Sequence, residues 1–219
     1  MSHPATVSSV NESCGAMKFK QKLLIHLSRK FSGYMWFFAD TLTGKLDGLA
    51  QLYDRSIEDA YTRDFSVVGL SPDDRVLHIG CGAYPLTDIT LARVSGVKHV
   101  VGIDNDPKAV RSAQAVIAKK QLHNQVTIEH GDGRGYPVKP FDIIVVSSCA
   151  FPNVEILKHV ITTAKKQGKI IVRELDVAID PIVECIKAHT EVVLKQRIHH
   201  IVFPFIEPFG WQTFYLIKK

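Results

Sequence analysis

A chain of 219 residues is long enough to bury one sizeable core with a modest extension. Hydrophobic residues make up 46% of it and charged residues 22%, which excludes a disordered or collagen-like chain. The net charge of +5 suits an acidic or nucleic-acid partner, but it is equally ordinary for an enzyme.

Residues 1–16, rich in Ser, Asn and small side chains, read as a loose tail. No apolar run there is followed by a small-residue cleavage site, so no secretory leader is expected. The cluster Tyr34-Met35-Trp36-Phe37-Phe38-Ala39 is too short to cross a bilayer. With the basic segment Lys18 to Lys30 before it, the cluster suits either a membrane surface or a core helix, and the core helix is preferred. Leu23, Leu24, Leu27 and Phe31 recur at helical spacing, and Leu46, Leu49, Leu52, Tyr53 and Ile57 continue in a second stretch. Residues 1–66 are therefore expected to form a tail and a helical cap, and residues 67–219 a separate α/β unit. The four cysteines, Cys14, Cys81, Cys149 and Cys185, are too far apart for a CxxC pair. No metal site is expected, and the thiols read as reduced, as in a cytoplasmic protein.

Ser71-Pro72-Asp73-Asp74 is a turn cluster, after which strands and helices alternate. Strands are expected over 75–80, 99–104, 125–130, 141–146 and 169–173. Helices are expected over 87–94, from Pro107 to about Lys120, over 153–166 and over 180–188. Pro107 suits a first helical turn, where its fixed φ and missing N–H cost nothing. Residues 191–203 and 212–218 read as two long strands joined by a loop with Pro and Gly. Repeated β-α units imply a doubly wound, mostly parallel sheet of seven strands with helices on both faces. The closing pair adds an antiparallel edge strand.

Gly80-Cys81-Gly82 lies between the first strand and the first helix of this unit, where a backbone can turn sharply and approach a ligand. A tight turn with no ligand satisfies that signal too. Two acids at later strand ends add weight. Asp104 follows Gly80 by 24 residues and can accept hydrogen bonds from both hydroxyls of a ribose. Its competing role is to cap the helix that opens at Pro107. Asp132, in Gly131-Asp132-Gly133, could reach an adenine amino group, or could be only a turn residue. A nicotinamide dinucleotide requires a third glycine in G-x-G-x-x-G, and position 85 is Pro85. A phosphate-free nucleoside such as S-adenosylmethionine has no such requirement.

Val76-Leu77-His78-Ile79-Gly80-Cys81-Gly82, Val101-Gly102-Ile103-Asp104 and Gly131-Asp132-Gly133 resemble the motifs of class I methyltransferases, most of which carry an acid at the position of His78. The run from Gly80 through Pro85-Leu86-Thr87 to Ala92 is similar to the G-S-G-x-x-P-L-T/S-x-I-x-L-A run of nicotianamine synthases and their bacterial and archaeal relatives. Asp104-Asn105-Asp106-Pro107 resembles that family's D-x-D-P, and residues 198–207 resemble a late motif. The likeness covers residues 50–219. It implies a Rossmann-like methyltransferase fold that uses S-adenosylmethionine as co-substrate. It also implies transfer of the 3-amino-3-carboxypropyl group to a small amine or amino acid, with methyl transfer as the alternative. Gly80, Cys81, Gly82, Asp104, Asn105, Asp132 and Ser147 are the expected cofactor contacts. Glu58 matches a functional glutamate of the family and Tyr84 sits in the loop, so both are catalytic candidates. Each also has a plain reading, Glu58 as an exposed helix residue and Tyr84 as packing. Arg173 could meet a substrate carboxylate or form a surface ion pair. His199 and His200 should face opposite sides of a strand, against a shared metal. No RNA-binding module is visible, and a nucleic-acid partner is not expected.

Overall fold

The computed structural model describes residues 60–93, 95–200 and 210–219. Glu58, the helical stretches before residue 60, the cluster around Trp36 and most of the late motif lie outside the described residues.

Seven strands among the described residues form one sheet in the order β3-β2-β1-β4-β5-β7-β6. They are β1 (Arg75–Ile79), β2 (His99–Asp104), β3 (Val126–His130), β4 (Ile143–Val146), β5 (Lys169–Leu175), β6 (Val192–His200) and β7 (Trp211–Lys218). The first five run parallel, and β7 inserts antiparallel between β5 and β6. Ile143-Ile144-Val145-Val146 is wholly buried, as a central parallel strand covered on both faces must be. Ile79 pairs with both Ile103 and Val146, so β1, β2 and β4 end at one level.

Among the described residues five α-helices flank the sheet: α1 (helical over residues 60–68), α2 (Leu86–Arg93), α3 (Pro107–Lys119), α4 (Asn153–Thr163) and α5 (Ile179–Ala188). Alternation along β1 sends Val76 and Leu77 into two different cores. Val76 joins Phe65 of α1, Leu91 of α2, Ile117 of α3 and Tyr215 of β7. Leu77 joins Leu157 of α4, Ile182 of α5 and Phe214 of β7. Burying each such side chain contributes about 1.5–3 kcal/mol before chain entropy is counted.

The helix α3 has the expected start. Asp106 caps it, accepting from the Lys108 N–H at 2.8 Å, and Pro107 opens it. Val110, Ala113 and Ile117 form its buried stripe. By contrast α2 is buried along Leu86 to Ala92, polar Thr87, Asp88 and Thr90 included. Its contact with β2 needs Gly102, because a Cβ there would lie 2.7 Å from Asp88 Oδ1 and 2.8 Å from Ile128 Cδ1.

Element order agrees with expectation, and boundaries move by a few residues. The fourth strand starts at Ile143, α4 stops at Thr163, and β5 runs on to Leu175. Among the described residues no helix is long and apolar enough to cross a membrane.

Candidate cofactor and active site

The glycine loop is bolted to the end of β2. The N–H groups of Gly80 and Cys81 both donate to the Ile103 carbonyl, at 2.8 and 3.0 Å. Gly80 has φ +82° and Gly82 φ +67°, both in the left-handed region that glycine tolerates. A Cβ on Gly80 would lie 2.8 Å from the Ala150 Cβ and 3.0 Å from its backbone, whereas a Cβ on Gly82 meets nothing within 4 Å. Gly80 is thus fixed by packing, and Gly82 borders open space.

Asp104 ties that loop to the next one. Its Oδ2 accepts from the Gly82 N–H and its Oδ1 from the Asp106 N–H, each at 2.9 Å. Helix capping falls to Asp106, so Asp104 is released from the competing role. Each of its oxygens keeps a lone pair for a further donor. Burial pushes the Cys81 thiol up, and the charges of Asp88 and Asp104 push it further, so Cys81 is no thiolate nucleophile. Cys149 donates to the Gly80 carbonyl at 3.0 Å.

Asp132 sits beyond β3 and is gripped by Arg134. The guanidinium Nε lies 3.0 Å from both carboxylate oxygens and Nη2 lies 2.5 Å from Oδ2. Those hydrogen bonds, with one from the Arg134 backbone N–H, lower the Asp132 pKa to about 2. An open cleft of about 630 Å³ is lined by Asp132, Arg134, Gly135, Tyr136 and Pro137. Burial, then hydrogen bonding to Glu129, pushes the Tyr136 hydroxyl up to about 12. Asn105 is exposed, and its carbonyl accepts from His130 Nε2 at 3.1 Å. Tyr84 is half-buried beside the core that holds Val76, with Lys120 Nζ 5.5 Å from its ring centre.

Two buried polar clusters were not singled out from sequence. In the first, His78 Nδ1 lies 2.6 Å from Asp88 Oδ2 and His78 Nε2 lies 2.6 Å from Ser147 Oγ. The second holds Arg173 and Asp64, both buried. Arg173 Nε donates to Asp64 at 3.1 Å and Nη1 to Thr87 at 2.9 Å, and the guanidinium lies 3.8 Å from the Tyr61 ring centre. Asp64 also takes hydrogen bonds from Thr213 and Tyr215 and faces His200 Nε2 at 2.9 Å. Arg173 therefore forms a buried ion pair rather than a surface one. His200 stacks on Trp211 while His199 pairs with Asp176 on the other side of β6, as strand alternation requires. The only sequence hints were His78 in an acid's usual place and the apolar setting of Arg173.

A turn with one glycine facing open space, a two-oxygen acceptor at the next strand end and a cleft beyond β3 suit a phosphate-free nucleoside.

Comparison with known proteins agrees with that reading. A 102-residue segment is 34% identical to the ribosomal protein L11 methyltransferase of Thermosipho africanus, covering 47% of this chain and 38% of that protein. The Burkholderia ambifaria protein of the same name is 33% identical over 99 residues, covering 45% of this chain and 31% of its own. The matched segment thus spans about a third of those relatives. Among solved structures, a point mutant of MtNAS, a nicotianamine synthase, in complex with S-adenosylmethionine has a TM-score of 0.68 at 17% identity, over 90% of this chain and 76% of that one. The Pyrococcus abyssi tRNA (uracil-54, C5)-methyltransferase in complex with S-adenosyl-L-homocysteine has a TM-score of 0.56 at 19% identity, over 71% and 36%. These likenesses show a shared methyltransferase fold. The model of one family matches residues 56–205, from before β1 through β6. The chain belongs to the protein-L-isoaspartate(D-aspartate) O-methyltransferase family, a methyltransferase family that uses S-adenosylmethionine.

Proposed function

We propose that this chain is a cytoplasmic transferase that moves the 3-amino-3-carboxypropyl group of S-adenosylmethionine to a small amine or amino acid. The observation that carries this reading is the cofactor loop, where Gly80-Cys81-Gly82 runs on into Pro85-Leu86-Thr87 as in nicotianamine synthases, with His78 in place of the usual acid. The extent of the MtNAS superposition, 90% of the chain, supports it.

When bound, S-adenosylmethionine supplies a sulfonium whose attached carbons are all open to nucleophilic attack. The carbon chosen is the one held about 3–3.5 Å from the nucleophile. In this reading Asp104 receives the ribose hydroxyls, Asn105 and Asp132 flank the adenine, and the backbone of Gly80, Cys81 and Gly82 allows close approach. Tyr84 covers the aminocarboxypropyl arm, Ser147 faces the reacting end, and Glu58 orients the acceptor amine. A second reading, methyl transfer, is favoured by the family match over residues 56–205.

Mass spectrometry of the nucleoside released from S-adenosylmethionine, with L-histidine or L-glutamate as acceptor, separates the two. Methylthioadenosine is expected. S-adenosylhomocysteine without methylthioadenosine would overturn the first reading in favour of methyl transfer.

A further inference from the structure

We propose that Asp88, His78 and Ser147 form a buried proton relay that takes the proton of the attacking amine at the carboxyl end of β4. This inference deepens the transferase reading and rests on it.

The three groups come from three elements: Asp88 from α2, His78 from β1 and Ser147 from the loop after β4. Both links are 2.6 Å long. The chain has a direction, because Asp88 is 0%, His78 2% and Ser147 9% exposed, so the outlet is Ser147. A carboxylate only accepts, so His78 Nδ1 carries the proton that Asp88 holds. His78 Nε2 is then bare and accepts from the Ser147 hydroxyl. The Ser147 N–H already donates to the Ile79 carbonyl at 3.1 Å, and its carbonyl accepts from the Ala150 N–H at 3.0 Å. What Ser147 has left is the acceptor side of its hydroxyl, and Cys149 and Ala150, which follow it in the same loop, touch Gly80.

The surroundings keep the relay's charge available. Asp88 Oδ1 is buried with no hydrogen-bond partner, so its charge is not spent elsewhere. Arg173, a buried cation, reaches Thr87 next to Asp88 in the chain but forms its ion pair with Asp64. An imidazolium at position 78 would therefore be stabilised by Asp88, the role an aspartate plays behind a catalytic histidine. The absence of a Cβ on Gly102 is what lets the carboxylate sit there.

The step balances. The amine nitrogen bonds to the carbon being transferred as the C–S bond breaks, and the bonding pair stays on sulfur as a neutral thioether. The new ammonium gives one proton to Ser147 Oγ while the hydroxyl proton moves to His78 Nε2. One proton leaves nitrogen and one arrives on imidazole, with no oxidant or further reactant. Ser147 is the catalytic residue, and His78 and Asp88 are positioning residues.

The test uses the full chain with S-adenosylmethionine and L-histidine or L-glutamate. Ser147→Ala should lower kcat by about 10²–10⁴-fold, with KM and the dissociation constant of methylthioadenosine within threefold of wild type. Asp88→Asn should give a similar loss, because an amide can donate to Nδ1 and reverse the tautomer. Equal kcat in wild type and Ser147→Ala overturns the relay while leaving the transferase reading standing. Wild type that releases neither nucleoside overturns both. A second measurement is independent of turnover and of the variants' folding. The ¹⁵N spectrum of His78 in the wild-type chain should show a protonated Nδ1 and a bare Nε2, and the opposite tautomer overturns the proposal.

Discussion

Gly80 and Gly82 are two residues apart, share a left-handed backbone and should fail in different ways when replaced by alanine. At Gly80 the new methyl would press on the Ala150 Cβ at 2.8 Å and on its backbone at 3.0 Å, and backbone cannot swing aside as a side chain can. A non-glycine residue in the left-handed region costs about 1–2 kcal/mol, and overpacking adds about 1–3 kcal/mol. The Gly80→Ala loss is therefore about 2–5 kcal/mol. With a urea slope of about 2 kcal/mol/M, the unfolding midpoint should fall by roughly 1–2.5 M. At Gly82 only the conformational cost applies, about 1–2 kcal/mol, because no atom lies within 4 Å of the new methyl. That methyl occupies the open side of the loop, so S-adenosylhomocysteine binding by calorimetry should weaken about tenfold or more, near 1.4 kcal/mol. The reasoning is refuted if Gly82→Ala destabilises the fold as much as Gly80→Ala. It is equally refuted if Gly82→Ala binds the nucleoside like wild type.

Asp104→Asn keeps the shape but leaves one of the Gly82 and Asp106 N–H groups without its acceptor, so S-adenosylhomocysteine binding should weaken about 10–100-fold by calorimetry. Asp64→Asn strands the buried Arg173 guanidinium, and thermal unfolding should show a loss of about 3–5 kcal/mol. Burial raises the Asp64 pKa, yet the His200 contact, the Arg173 charge and the Tyr215 hydroxyl outweigh it and hold the carboxyl below its usual value. That stability is present above the unfolded pKa of about 3.9 and is lost as pH falls through the lower folded value, which acid titration of unfolding should show. Arg134→Ala should return Asp132 from about 2 towards the ordinary carboxylate range, read by ¹³C NMR titration. An unmoved Asp132 would mean that Arg134 does not hold it.

The sheet was legible because its signals are local. Ile143-Ile144-Val145-Val146 announces a covered strand, and Pro107 after Asp106 announces a helix start. Among the expected site residues the structure groups Gly80, Cys81, Gly82 and Asp104 tightly, with Ser147 on the adjacent strand end. Asp132 stands apart with Arg134, and Tyr84 turns to Lys120. The buried polar clusters were not legible, because their partners meet only through the sheet. His78 and Ser147 are 69 residues apart, and Asp64 and Tyr215 are 151 apart. Periodicity reports which face of an element is covered, not which polar group on another element meets it. Even so, His78 in an acid's place was a trace of the answer, since its ring meets an acid, Asp88 on α2.

The insertion of β7 between β5 and β6 has a consequence for how the chain comes off the ribosome. β6 is synthesised first, yet it joins the sheet only through β7. Until residues 211–218 emerge, β5 presents a row of unpaired amides and carbonyls along an apolar strand, and β6 has nothing to pair with. A nascent chain stalled before residue 211 would carry a folded nucleoside loop beside an open, adhesive edge. Chaperone engagement should therefore concentrate at that late window rather than while the glycine loop is forming.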